Sequence, residues 1–287
     1  MIDLHLHTTA SDGRSEPEEL ARRAAAAGLR TIAVTDHDTT AGVARARAAA
    51  APLGVDVVMG IEITAVHAGR DVHLLGYFFD DGDPELTTFL ERQRADRRRR
   101  IGLMLERLRA LGIALDEESV RSQAAAAGKA IGRPAIARAL VTAGHADNIA
   151  DAFDRFIAEG RPGFIARQGA PPADVVALIA RAGGVSSFAH PGKLGLDDLL
   201  PDLARAGLTA VEVFHPDHGR ADSDRYMALA QALGLLVSGG SDYHGPASGR
   251  VDAMGVVHLP DVHFQALKAQ AEIARHARGP GLGGPGL

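Results

Sequence analysis

Cysteine is absent from the 287-residue chain. That excludes disulfides and thiolate metal sites, so any metal must be held by nitrogen and oxygen. Aromatic residues are scarce, at 4% against 46% hydrophobic overall, and the core must be mostly aliphatic. No apolar run reaches membrane-spanning length, and no basic segment backed by an apolar stretch precedes the first motif. The chain therefore reads as a soluble cytoplasmic protein without membrane contact. A strong charge bias is lacking too: a net charge of −5 gives no general argument for nucleic-acid binding. Nothing marks an obligate protein partner. The last nine residues, Gly279 to Leu287, are glycine, proline and leucine only and read as a frayed tail.

What is present begins with Asp3-Leu4-His5-Leu6-His7-Thr8. On a strand, side chains alternate with period two, so His5 and His7 share one face while Leu4 and Leu6 point into apolar packing. Ser15, with Pro17 and Glu18 behind it, predicts a capped helix to about Ala27. Strands are predicted at Thr31–Thr35, Val55–Met59 and Asp71–Tyr77, with a helix through Arg45 and Ala50. The strand–helix alternation implies parallel pairing and a layered or barrel α/β fold.

The rhythm breaks between about Asp80 and Gln168. Leu86 to Leu111 has the spacing of one long helix, with Ile101, Met104, Leu105, Leu108 and Leu111 on one side. The other side carries an arginine run that includes Arg92, Arg94 and Arg97 to Arg100, read as a mainly solvated face. Further helices are expected at 115–127, 136–143 and 149–158, making a helical insertion over one mouth of the core. Alternation then returns, with helices at 173–182, 197–206 and 223–233 and strands at 185–188, 210–214 and 235–237. The expected division is a first barrel segment 1–80, an insertion 81–168, a second barrel segment 169–276 and a tail 277–287.

Histidine, aspartate and glutamate recur at the strand ends: His5, His7, Asp12, Asp36, His37, Glu62, His73, His190, His215, Asp242 and His244. Strand ends of a parallel barrel open onto one face, so these residues are expected to converge. A mixed imidazole–carboxylate shell suits Mn²⁺, Zn²⁺ or Fe²⁺. The donors outnumber what one ion takes, so two or three ions are expected, with Glu62 as a bridge.

Asp3 to Thr8 with Asp12, then Thr35-Asp36-His37-Asp38, Gly60-Ile61-Glu62 with His73, Ala189-His190-Pro191 and Gly240-Ser241-Asp242-Tyr243-His244 together resemble the motifs of the PHP domain, named for polymerase and histidinol phosphatase. The resemblance implies a distorted (β/α)₇ barrel with an inserted α-helical capping domain and three metals. It implies one ion on His5, His7, Glu62 and Asp242, a second on Glu62, His73 and His190, and a third on Asp12, His37 and His244. It gives Glu62, His37, Asp12 and His244 the catalytic roles, with manganese as the expected metal. Ile131-Gly132-Arg133-Pro134 is similar to the stand-alone phosphoesterase branch, although Ala135 stands where that branch usually has histidine.

The branch implies hydrolysis of nucleotide phosphates, first among them the 3′-phosphate of nucleoside 3′,5′-bisphosphates. The alternatives are 5′→3′ degradation of short RNA and a histidinol phosphatase-like activity. Arg133, Lys193 and His215 are the expected substrate contacts; His215 and His218 are candidates for donating a proton to the leaving oxygen and equally for a structural use, and the general acid is not assigned. A non-catalytic sensor is disfavoured by the complete ligand set.

Overall fold

Short aliphatic runs bounded by glycine and polar turns become seven strands of one sheet, paired in chain order. They are β1 (Ile2–Leu6), β2 (Thr31–Val34), β3 (Asp56–His67), β4 (Arg70–Tyr77), β5 (Val185–Phe188), β6 (Ala210–Phe214) and β7 (Leu236–Gly239). This computed structural model describes residues 1–118, 120, 122, 130–246 and 254–277. The helices are α1 (Pro17–Ala26), α2 (Val43–Ala50), α3 (Pro84–Ala110), α4 (Arg133–Thr142), α5 (Ile149–Ala152, continuing into a π turn at Phe153–Ile157), α6 (Pro172–Arg181), α7 (Pro191–Leu194), α8 (Leu199–Arg205), α9 (Arg220–Leu233) and α10 (Asp261–Ala277). The sheet curls: Leu6 pairs with Tyr243 just beyond β7, and His7 N donates to Tyr243 O at 2.9 Å. The result is a distorted (β/α)₇ barrel.

Parallel pairing holds for β1–β2–β3 and β5–β6–β7 but not for β4, which runs antiparallel to both neighbours. The cause is local. Ala68 and Gly69, both at positive φ, make a two-residue turn that folds β4 straight back onto β3. Neither residue is an Asn-Gly signal, and the reading of 55–59 as a short parallel strand missed the hairpin. The helix capping box is also corrected. Glu16 is the N-cap of α1, and the Ser15 hydroxyl instead lies 3.4 Å from the Tyr243 hydroxyl.

Helix α3 sets the architecture above the barrel. Asp83 accepts from the Glu85 and Leu86 amides at 3.0 Å each, and Pro84 occupies the first turn. Leu86 and Leu90 join the barrel core with β3, β4 and α6. Ile101, Met104, Leu105 and Leu108 join a second cluster with Ile136, Leu140 and Ile157. Between these halves the buried face is polar: Gln93, Arg97 and Arg100 are all buried. The arginine run is therefore not one solvated face, since two members lie on the apolar side.

Most of the expected helix 115–127 and the tail 278–287 lie outside the described residues. Helix α10 lies outside the expected elements; among its described side chains, those buried are Phe264, Leu267 and Ala271. No helix among the described residues is long and apolar enough to cross a membrane.

Candidate metal centre

Five imidazoles form a closed ring about one carboxylate. Centroids lie 5.3 Å apart for His5–His7, 4.9 Å for His7–His37, 4.8 Å for His37–His73, 5.3 Å for His73–His190 and 5.7 Å for His190–His5. Glu62, on β3, stands at the middle. Its Oε2 is 3.4 Å from His5 Nε2, 3.1 Å from His7 Nε2 and 3.1 Å from His37 Nδ1. Its Oε1 is 2.8 Å from His73 Nδ1 and 3.1 Å from His190 Nε2. Because β4 is antiparallel, it brings His73 to the rim from its N-terminal half.

His244 stacks on His7 at 4.1 Å, and its Nε2 lies 3.2 Å from Asp12 Oδ1. Asp242 Oδ1 is 3.4 Å from both His5 Nε2 and His7 Nε2. Three overlapping donor groups result: His5, His7, Glu62 and Asp242; His37, Glu62 and His73; and His7, Asp12, His37 and His244. The first repeats a set that the family resemblance implies. The second has His37 in place of His190, and the third adds His7.

The surrounding structure aims these donors. Asp3 Oδ1 accepts from His5 N and Ser241 N, tying β1 to the loop after β7. A Cβ on Gly240 would lie 2.4 Å from the His5 backbone nitrogen, so only glycine lets that loop approach β1. Asp36 takes no part in the donor groups. Its carboxylate accepts from Thr8 N, Thr8 Oγ1 and Ser11 Oγ, pinning the turn that carries Asp12.

Glu212 was not singled out, although a carboxylate inside the apolar strand Ala210–Phe214 was a signal for it. Its Oε1 is 2.9 Å from His5 Nδ1, and its Oε2 accepts from His190 N at 2.7 Å. With an ion bound, the first contact would take the Nδ1 proton of His5 and leave its Nε2 to ligate. The second holds His190 in the left-handed region, at φ 31°.

Burial by itself raises the carboxyl pKa of Glu62, yet His37, His73 and His5 outweigh it and hold the group well below the usual range. Glu212 falls to about 2 in the same way, against its burial and through His5. Burial dominates at His190, pushed down to about 4. At His7 burial is outweighed by Asp242 and Glu62, and the imidazole rises to about 9.

Divalent cations fit this set. His5 Nε2, His7 Nε2, His37 Nδ1, His73 Nδ1 and Glu62 Oε2 are buried with no hydrogen-bond partner among the described residues. Such atoms are costly to bury unless something positive binds them.

The expected substrate contacts are spread around this rim. Lys193 Nζ bonds Asp217 Oδ2 at 2.7 Å and Asp242 Oδ2 at 3.0 Å. His215 Nδ1 accepts from Asp217 N at 3.0 Å, and its buried Nε2 lies 3.5 Å from Asp242 Oδ2. His218 has both nitrogens engaged, Nε2 by Gly192 N and Nδ1 by Val213 O. Arg133 rests over Phe153 and Phe164, 5.6 and 5.7 Å from their centroids. Ala135 and Arg138, with Ser11, Asp12 and Ile131, line a cleft between the first turn and α4.

A family model described as the PHP domain matches residues 3–156. The chain is 33% identical over 272 residues to a 3′,5′-nucleoside bisphosphate phosphatase of Chromobacterium violaceum, covering 91% of this chain and 93% of that one. It is 37% identical over 262 residues to a phosphoribosyl 1,2-cyclic phosphate 1,2-diphosphodiesterase of Eggerthella lenta, with coverage of 88% and 97%. To the 5′-3′ exoribonuclease Rnm of Escherichia coli it is 35% identical over 253 residues, with 86% of each chain covered. Among solved structures, a putative metal-dependent phosphoesterase of Bifidobacterium adolescentis superposes with a TM-score of 0.86 at 32% identity, covering 94% of this chain and 96% of that one.

Proposed function

Because this chain belongs to the PHP domain family and is a metal-dependent phosphoesterase, we propose that it removes the 3′-phosphate of nucleoside 3′,5′-bisphosphates, giving nucleoside 5′-monophosphates. The observation that carries this reading is Glu62, whose two oxygens face different imidazoles and so serve two donor groups at once. His5, His7, Glu62 and Asp242 would hold one ion, Glu62, His73 and His190 a second, and Asp12, His37 and His244 a third, so that each imidazole, with one lone pair, serves a single ion. Manganese suits this nitrogen–oxygen set. Divalent ions bound there supply a water nucleophile active near neutral pH and positive charge against the phosphoryl oxygens.

The chain's own residues do the rest. Glu212 fixes His5 with its lone pair toward the ions, and Asp36 fixes the Asp12 turn. His215 accepts at Nδ1, so its Nε2 carries the proton and is the donor to the leaving oxygen. His218, with both nitrogens committed, only supports the turn. Lys193 neutralises charge beside Asp242, and the segment 81–168 caps the barrel mouth.

The test is phosphate release from a nucleotide panel by manganese-loaded protein. Release from a nucleoside 3′,5′-bisphosphate is expected. No release at full metal content sinks the reading. The exposed Arg92, Arg98 and Arg99 on α3, with the exoribonuclease relative, favour a second reading, 5′→3′ shortening of RNA. An end-labelled oligonucleotide in the same panel separates the two, and a cyclic phosphate ester tests the diesterase alternative.

A further inference from the structure

Where α3 crosses the rim, four arginines gather around two carboxylates. Arg97 is fully engaged: Nε donates to Asp38 Oδ2 at 2.5 Å, Nη2 to Thr64 Oγ1 at 2.9 Å and Nη1 to Ile131 O at 3.3 Å. Arg167, only 7% exposed, is not. Its Nη1 lies 3.6 Å from Asp38 Oδ2 and its Nε 3.6 Å from Asp71 Oδ1, and neither makes a hydrogen bond among the described residues. Arg100 donates Nε to Ile165 O at 2.7 Å, while its Nη2 is buried without a partner and its Nη1 is 3.9 Å from Asp71 Oδ2. Arg133 reaches Asp71 Oδ2 only at 3.5 Å. Four guanidinium charges thus face Asp38 and Asp71; the further carboxylates that act on them are Asp12 on Arg97, Glu159 on Arg133 and Asp96, itself paired with Arg99, on Arg100. Burial pulls Arg100 and Arg167 down to about 10, the direction expected for positive charge short of counter-charge.

The cluster adjoins the metal centre twice. Asp38 follows His37, and Asp71 stands two residues before His73 on the same face of β4, roughly 7 Å along the strand. Arg133, Asp71 and His73, with side chains 26%, 22% and 23% exposed, are its open edge. Planar guanidinium forks with uncommitted donors match the oxygens of a phosphate.

We infer that Arg100, Arg133 and Arg167 form a binding site for a second phosphate of the substrate, one that is not hydrolysed. The ligand class is a phosphate monoester one sugar away from the reacting phosphate. The long contacts to Asp71 yield to it, while the short Arg97–Asp38 pair stays as the floor. The identity of the ligand rests on the bisphosphate reading above; the anion site itself does not.

The test compares nucleoside 3′,5′-bisphosphate with nucleoside 3′-monophosphate in wild type, Arg167→Met and Arg133→Met. The ratio of kcat/KM between the two substrates is expected to fall at least tenfold in each variant. An unchanged ratio overturns the inference. Arg133, at the open edge, is the variant that keeps the fold if Arg167→Met does not, as circular dichroism will show. Calorimetry of a nucleoside 5′-monophosphate on metal-stripped protein supplies a readout free of turnover. At least tenfold weaker binding by Arg133→Met upholds the site, and equal binding overturns it. If neither substrate releases phosphate from wild type, the bisphosphate reading fails, and the calorimetric comparison still decides the anion site.

Discussion

Glu62→Gln keeps the size of the central side chain but removes the charge that five imidazoles surround. Turnover is expected to drop to background, with fewer ions per chain by elemental analysis; retained activity removes the bridging role. Glu212→Gln is a subtler change, because Glu212 is fully buried and bonds to His5 and His190, through which it acts. Loss of such a partner costs about 10- to 100-fold in metal affinity. Titration against a competing chelator measures it, and an unchanged affinity rejects the positioning role. At this scale the sequence was legible where local geometry dictates position. His5 and His7 share a face because strands have period two; Asp242 and His244 lie in the loop beyond β7, with Asp242 at φ 50°, and were marked only by following a strand end. Glu212 was harder to read because its partners lie 207 and 22 residues away, and only its place in an apolar strand hinted at a buried charge.

Among elements, α3 carries the most mixed message. Its apolar spacing predicts a helix correctly, but composition cannot tell a solvated arginine from one sunk in a rim. Arg97 is buried because Asp38, 59 residues earlier, lies under it in a left-handed turn. Arg97→Met strips one partner from a buried pair, a change that costs about 3–5 kcal/mol. Denaturant unfolding will measure that loss, with Arg167 near enough to Asp38 to hold it at the lower end. The hairpin of β3 and β4 was illegible for a different reason. Ala68 is an uncommon residue at positive φ, and the pairing that compels it is the eight-residue register from Gly60–Tyr77 to His67–Arg70. Gly240→Ala tests how tightly the loop after β7 docks on β1. The added Cβ meets the His5 backbone at 2.4 Å, so both metal content and thermal stability are expected to fall; unchanged values show that the loop has room to move.

For the whole molecule, the buried donors with no hydrogen-bond partner make metal and stability one problem. A ligand that binds only the folded state, at a hundred times its Kd, adds about 2.7 kcal/mol. For a chain of this size that corresponds to a Tm rise on the order of 5–10 °C. Chelation is expected to lower Tm by that amount and added Mn²⁺ to restore it; a Tm indifferent to both contradicts the cation fit. Leu105→Ala, deep in the cluster shared by α3 and α4, costs about 2–5 kcal/mol. Metal content of the folded variant should stay unchanged, because that cluster shares no residue with the donor groups.

The rim is sewn from the two ends of the chain. Asp3 binds Ser241 across 238 residues, and His7 stacks on His244. During synthesis, the ribosome releases the first histidines long before their last neighbours exist. A nascent chain therefore offers a cation only a fragment of its cage, and the full set of donors exists only once His244 has been added.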